Sequence, residues 1–413
     1  MKYYKSIQKC RVCHSTKLTE VVKIKKQFIA STFVQTNKGN PKAKIKIPMT
    51  AMLCRSCGLV QLKETVTPDL LYENYFYRSN VSNTMNRDLR DVVADVCSGV
   101  KLKKGDFVLD IGCNDGLMLS MFPSYLKRVG IDPAKNIDWS HLDKSIKIIN
   151  DYFPSSQLKK NSFKIITSTA MFYDLDDPNT AVKQLKNLLT KDGIVCIQVS
   201  YLYDTIKDMN FYDICHEHLE YYSLKTLSYL MERNGMSVFD ASTNFVNGGS
   251  LRVIVAHKES KRPKSSNLEY LLLKEKVLQL ENPETYDIFS KLIKFNTQRV
   301  KNYIKSQKGL VIGLGASTKG NVLLQLCEID KKLLPYISER NPFKVGLRTL
   351  GTDIELISEE QARKLQPDCM FVIPWNFKNE IINREKEYIR KGGKLLFIMP
   401  YPYVIDKNGE TRL

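Results

Sequence analysis

Apolar residues recur in this chain as short runs that end at glycines, with helical spacing between the runs. From Phe107 it reads Phe-Val-Leu-Asp-Ile-Gly-Cys-Asn-Asp-Gly-Leu-Met-Leu: a buried strand running into Asp110, glycines at 112 and 116, then a helical pattern. Apolar runs at residues 129–132, 163–168 and 193–199 alternate with helical stretches such as 181–189. Such alternation predicts βα units on a doubly wound sheet. A helix over residues 86–100 leads into this unit. A helix over 223–234, a strand near 236–240 and a glycine turn at Asn247-Gly-Gly that enters another strand close it. A Lys/Ser/Pro-rich break at 258–267 precedes a helical stretch over 268–306, interrupted at Pro283. The strand, glycine loop and helix device then returns at Leu310-Val-Ile-Gly-Leu-Gly-Ala-Ser-Thr-Lys-Gly-Asn, with later strands predicted near 334–337, 369–376 and 394–400.

A chain of 413 residues exceeds one hydrophobic core. The pattern predicts three domains, at residues 1–68, 69–260 and 261–413, all in the α/β class. These are a small N-terminal metal-binding domain, a central doubly wound sheet and a C-terminal Rossmann-like domain. No stretch approaches the roughly 18 apolar residues of a membrane span, and the first residues lack the apolar core of a signal peptide. A cytoplasmic protein without a membrane partner is expected. The formal net charge is +19, which could signal nucleic acid. The lysines are scattered and matched by many acids, however, so no nucleic-acid partner is expected, and the chain is read as a monomer or small homo-oligomer.

Chemistry-bearing residues fall in four places. Cys10-Arg-Val-Cys13 and Cys54-Arg-Ser-Cys57 have the spacing of a tetrahedral zinc site in which four thiolates leave no open position, so the metal would be structural. Four unliganded cysteines, or an iron–sulfur cluster, are the alternatives. Asp110-Ile-Gly-Cys-Asn-Asp-Gly116 resembles motif I of S-adenosylmethionine-dependent methyltransferases, whose loop wraps the amino-acid part of that cofactor. Val129-Gly-Ile-Asp132-Pro133 ends a second strand in a carboxylate that can accept from both ribose hydroxyls. Candidate cofactor contacts are Asp110, Gly112, Asn114, Gly116 and Leu117, then Asp132 and Pro133, and Ser168 at the end of the fourth strand.

Third, Phe211-Tyr-Asp-Ile-Cys-His-Glu-His-Leu-Glu-Tyr-Tyr-Ser holds two of the chain's five histidines, His216 and His218, around Glu217. Histidine can take up and return a proton near neutral pH. The cluster falls just beyond the fifth strand, where active-site loops of such sheets gather. Fourth, Ser317 and Lys319 in the C-terminal glycine loop suit an anion. The aromatic run at residues 72–77 is either core or a lid over a polar ligand.

In their order, these parts resemble the sugar C-methyltransferases that act on nucleotide-linked 4-keto deoxysugars. The likeness rests on the cysteine pairs, Tyr75-Phe-Tyr77-Arg-Ser79, the motif at Asp110, Asp213-Ile-Cys-His-Glu-His218, Gly248-Gly-Ser-Leu-Arg252, Gly315-Ala-Ser-Thr-Lys-Gly-Asn321 and Pro374-Trp-Asn-Phe. It implies S-adenosylmethionine and structural zinc as cofactors and a nucleotide-linked keto-sugar as substrate. His218 would be the base at the carbon beside the ketone, assisted by Glu217, Tyr77 and His216. Substrate contacts would come from Tyr75, Ser79, Asn247, Gly249, Ser250, Arg252, Ser317, Lys319, Asn321, Trp375 and Asn376. Two departures stand out: Cys215 occupies a position where members commonly have tyrosine, and the usual prolines around Gly351-Thr-Asp-Ile-Glu are missing. An O- or N-methyltransferase, or an RNA-binding zinc protein with a vestigial cofactor fold, are the competing readings.

Overall fold

The computed structural model describes residues 3–72, 78–79 and 83–413. Tyr75 and Tyr77 lie outside the described residues. The N-terminal part carries β1 (Tyr4–Ser6), β2 (Leu18–Gln27), β3 (Phe33–Val34), β4 (Ile47–Cys54), β5 (Val60–Leu62), β6 (Glu64–Val66), and then α1 (Pro68–Tyr72) and α2 (Asn83–Ser98). β2, β4 and β5 form an antiparallel sheet, while β1 pairs with β6.

The central part follows as β7 (Phe107–Ile111), α3 (Leu117–Met121), β8 (Lys127–Ile131), β9 (Ile146–Ile149), β10 (Phe163–Thr169), α4 (Pro178–Leu188), β11 (Leu189–Ser200), α5 (Leu202–Lys207), β12 (Glu220–Tyr221), α6 (Leu224–Arg233), β13 (Met236–Asn244) and β14 (Ser250–His257). Seven of these strands build one sheet in the order β13-β14-β11-β10-β7-β8-β9. β7 to β11 are mutually parallel, β14 runs antiparallel to β11, and edge strand β13, antiparallel to β14, points the same way as the parallel strands. This is the class I methyltransferase sheet. The strand order reverses between β7 and β10, and the crevice beyond their C-terminal ends is where such sheets bind ligands. Local chemistry sets the helix starts. Asp177 caps α4 ahead of a proline, and Ser223 and Thr226 form a capping box on α6.

α7 (Ser266–Val277) and α8 (Pro283–Ser306) lead to the C-terminal part. Pro283 does not kink a single helix: it occupies the first turn of α8, behind an Asn282 cap. The C-terminal strands are β15 (Val311–Leu314), followed by α9 (Gly320–Leu326), then β16 (Tyr336–Glu339), β17 (Arg348–Thr349), β18 (Glu355–Ser358), β19 (Cys369–Val372), β20 (Lys394–Phe397), β21 (Tyr403–Asp406) and β22 (Gly409–Arg412). Five parallel strands, β20-β19-β15-β16-β18, make the Rossmann-like core of a nine-stranded sheet.

Two strand pairings tie the parts together. β3 joins the C-terminal sheet through Phe33 and Val34 on Thr349 and Arg348. β12 joins the N-terminal sheet, with Glu220 opposite Gln61 and Tyr221 opposite Val60. One buried cluster accordingly contains Met49 and Leu62, Ile214 and Tyr221, and Ile312 and Phe371 together. Among the described residues, no helix is long and apolar enough to cross a membrane.

Candidate active site

The sulfurs of Cys10, Cys13, Cys54 and Cys57 lie within 4.8 Å of one another. Cys10 and Cys57 are 3.6 Å apart and Cys13 and Cys54 3.5 Å. Tetrahedral thiolates on bonds of about 2.3 Å sit about 3.8 Å apart, so the residues fit zinc. A hydrogen bond from Cys57 pulls the Cys10 thiol down to about 4, so the cluster already favours a thiolate.

At the crevice, β7 delivers Asp110 and β8 delivers Asp132. Asp110 Oδ1 accepts from the Thr167 hydroxyl at 2.8 Å, and burial pushes its carboxyl up to about 8. Asp132 accepts from the backbone N–H groups of Asn114 and Ala134, both at 2.9 Å. Gly112 has φ +72°, and a Cβ there would meet Met171 Cγ at 2.6 Å, so the loop needs glycine twice over. Tyr152 and Phe153, after β9, complete a pocket with two carboxylates and flat aromatic faces. These residues fit S-adenosylmethionine, with Asp132 placed for ribose hydroxyls.

This pocket is one end of a cavity of about 520 Å³ that continues across the molecule. The same cavity is walled by His218, Glu217, Cys215, Asp174 and Tyr72, and by Ser317, Lys319, Arg340, Lys344 and Arg384 of the C-terminal part. The His218 ring packs on Tyr173 at a centroid distance of 4.1 Å. Burial, with the nearby Lys319 charge acting the same way, holds its pKa well below the usual value against a hydrogen bond to the Asp213 backbone. His218 is therefore a free base at neutral pH. Lys319 Nζ lies 2.5 Å from Asp213 Oδ1. Burial opposes the Lys319 charge, but Asp213 outweighs it and the ammonium is held above its usual range. Glu217 is 7% exposed, and among the described residues neither of its carboxylate oxygens has a partner.

The structure brings together Ser79, Asp110, Gly112, Asn114, Asp132, Pro133, Glu217, His218, Asn247, Ser317, Lys319 and Asn376 on this cavity. It places the other sequence candidates elsewhere. The His216 ring turns to the Ile47 carbonyl of β4, at 3.2 Å. Gly116 caps α3, where Leu117 begins, and Ser168 is enclosed within β10. Gly249 packs tightly on Asp204, and the Ser250 hydroxyl donates to the Val246 carbonyl at 2.9 Å. Arg252 forms ion pairs with Asp88, at 3.0 Å, and Asp95. Asn321 donates to the Ala30 carbonyl and Trp375 to Asn210 Oδ1, both at 2.6 Å. The polar groups of Ser250, Arg252, Asn321 and Trp375 are consumed inside the protein, whereas Ser168 Oγ and His216 Nδ1 are buried without a partner among the described residues. The sequence reading passed over Asp174, Lys344 and Arg384, which do reach the cavity, and nothing in their spacing marks them; Tyr72, from the aromatic run, reaches it too.

Three family models match the chain from near its start to near its end: a zinc binding domain over residues 10–72, a methyltransferase domain over 81–240 and a C-methyltransferase C-terminal domain over 245–400. The chain belongs to the C-methyltransferases of this three-part build. The enzyme is 28% identical over 409 residues to the C-methyltransferase NovU of Streptomyces niveus, covering 97% of each chain. A shorter stretch is 30% identical over 118 residues to the tRNA U34 carboxymethyltransferase of Campylobacter lari, 24% of this chain and 38% of that one. Among solved structures, the 1,6-didemethyltoxoflavin-N1-methyltransferase of Burkholderia thailandensis covers 42% of this methyltransferase and 77% of its own chain, at 11% identity and a TM-score of 0.33. The enzyme transfers a methyl group from S-adenosylmethionine to carbon, and its four-cysteine cluster holds zinc.

Proposed function

We propose that this methyltransferase acts on a nucleotide-linked 4-keto deoxysugar, removing the proton from the carbon beside the ketone with His218 and methylating that carbon. One observation carries the reading: a buried imidazole, held neutral, lines one cavity together with Asp110 and Asp132 and with the cationic side chains of the C-terminal part. A C–H beside a ketone yields to a positioned base when charge developing on the oxygen is met by a donor. An uncharged imidazole is the state able to accept that proton. Bound S-adenosylmethionine supplies an electrophilic methyl on a sulfonium sulfur. The chain's part is to hold the sugar carbon in line with it and to exclude water. Lys319, Arg340 and Arg384 line the same cavity, paired with Asp213, Glu380 and Glu359, and a nucleoside diphosphate would compete with those carboxylates for them. Four of the ten cysteines form the zinc cluster and the other six are free thiols, in keeping with a reducing cytoplasm.

The test offers the pure enzyme labelled S-adenosylmethionine and a panel of nucleoside diphosphate-linked 4-keto-6-deoxyhexoses. Methylated product is expected by mass spectrometry, along with exchange of the carbon-bound hydrogen in deuterated water without cofactor. His218→Asn should lose both activities while still binding S-adenosylhomocysteine. Full turnover by that variant would remove His218 as the base. Methylation confined to oxygen or nitrogen would remove the carbon-acid chemistry.

A further inference from the structure

Resting on that reading, we propose that the Asp174 carboxyl group donates the hydrogen bond that stabilises the substrate's enolate oxygen, beside Glu217 on the cavity wall that carries His218.

The chain leaves the β10 strand and turns at residues 172–174 so that Asp174 faces the cavity. Its Oδ1 has no partner among the described residues, and Tyr72 from α1 supplies a hydrogen bond to the carboxyl group. Glu217 stands next to it, buried and likewise unpartnered among the described residues. A second negative charge beside a first in one desolvated wall is costly. Burial first, and the Glu217 charge second, push the Asp174 carboxyl well above the carboxylate range, while Tyr72 and Lys319 oppose them. A carboxyl group kept in its acid form is an O–H donor that survives at neutral pH, as in the ketosteroid isomerase pattern.

Two other donors on the wall are engaged. The Tyr212 hydroxyl donates to Asn376 Oδ1 at 2.9 Å, and the Lys319 ammonium is held by Asp213. Cys215 offers only a thiol, a weak donor, which burial pushes well up. Asp174 thus supplies what a phenol would supply if residue 215 were tyrosine. In the step itself, His218 accepts the carbon-bound proton and the C–H electron pair moves to the carbonyl oxygen, which accepts the Asp174 O–H bond without taking its proton. The pair then returns to form the new carbon–methyl bond as the carbon–sulfur bond breaks, and the imidazolium gives its proton to solvent.

The experiment measures cofactor-free deuterium exchange and methylation on the same panel for the wild type, Asp174→Asn and Asp174→Ala. Thermal melts report folding. Asn keeps an N–H donor, so exchange within about tenfold of wild type is expected, against a loss of about 10²–10³-fold for Ala. Groups facing Asp174 are Tyr72, Glu217, Cys215, His218 and Lys319, and the Lys319 charge is itself set by Asp213. The wild-type rate should fall on the alkaline side as Asp174 loses its proton, and this limb should vanish in Asp174→Asn. Infrared difference spectra at neutral pH should show a protonated carboxyl band that Asp174→Asn lacks. Wild-type exchange matched by Asp174→Ala, or equal losses in Asn and Ala, would overturn the donor role and leave the substrate reading standing. A wild type that neither exchanges nor methylates any panel member overturns the substrate reading, and the donor assignment falls with it.

Discussion

Arg11, between the first two cysteines, is the connection between the zinc cluster and the catalytic loop, and removing it is the sharpest test of the architecture. Its guanidinium is buried, at 5% exposure for the residue. Nη1 donates to the Leu62 carbonyl at 2.6 Å, Nη2 to the Thr65 hydroxyl at 2.7 Å, and Nε lies 3.5 Å from Glu220 Oε1. Glu220 is 1% exposed and opens β12, two residues after His218. Burial pushes its carboxyl well above the usual range, and Arg11 is the main group pulling it back. Arg11→Met leaves this carboxylate buried without a cation, which costs about 3–5 kcal/mol. The double variant Arg11→Met/Glu220→Met removes both charges of this pair and leaves three acceptors short of a donor, the Leu62 carbonyl, the Thr65 hydroxyl and Asp176 Oδ1, the last still paired with Lys5, at about 1–3 kcal/mol each at most. The double variant should therefore be more stable than the single.

Denaturant midpoints measured on the zinc-loaded protein check this ordering. The pH dependence gives a second check. A carboxyl whose folded pKa is raised binds more protons folded than unfolded, so stability falls as pH rises above about 4.3, the unfolded value. Losing Arg11 widens that window. The extra destabilisation of Arg11→Met over wild type should therefore grow as pH rises from that point and shrink as it falls toward it. A double variant less stable than Arg11→Met, or a penalty independent of pH, would refute the buried-pair account.

Removing zinc with a chelator, or weakening the site by Cys57→Ser, should abolish methyl transfer although the metal touches no reactant, because β12 is paired onto the sheet whose turns the cysteines close. Metal content and turnover measured on the same samples decide this, and full turnover without zinc would contradict it. Glu275→Ala should destabilise the protein by about 2–4 kcal/mol, because this buried carboxylate accepts from the Leu224 and Lys225 N–H groups at the start of α6 and from the Tyr201 hydroxyl. Glu275→Gln, which keeps an acceptor oxygen, should recover part of that loss in the same unfolding assay.

The devices legible in the sequence were those that a continuous stretch of chain completes by itself. A buried parallel strand is an uninterrupted apolar run, so β7, β10 and β15 announced themselves together with their glycine loops. The cysteine pairs did the same for the metal. Two-residue strands carry no periodic signal, and β3, β12 and β17 emerged only from the pairing of distant segments. Residue type also says that a polar group needs a partner, without saying which. Arg252, Asn321 and Trp375 look like ligand contacts as letters, yet each spends its hydrogen bonds inside the protein. The run Asp174-Leu-Asp176-Asp177 shows the ambiguity within four residues. Asp177 caps α4, Asp176 accepts from Lys5 and Thr65, and Asp174 lines the cavity with one enclosed oxygen, Oδ1, that has no partner among the described residues.

The segment that presents His218 is held by all three parts of the chain. Before it, Asn210 takes the Trp375 indole N–H and Asp213 takes Lys319, both from the C-terminal part. After it, the Leu219 N–H donates to the Tyr173 carbonyl of the central part at 2.8 Å, and Glu220 and Tyr221 pair with β5 of the zinc part. The proposed base, His218, whose ring must stay neutral for that role, cannot be oriented by a strong ion pair of its own, since a carboxylate on the imidazole would favour its charged form. Here the orientation comes instead from fixing the backbone on both sides of the residue. This arrangement explains why a structural metal and a Rossmann-like sheet accompany a transfer that neither performs.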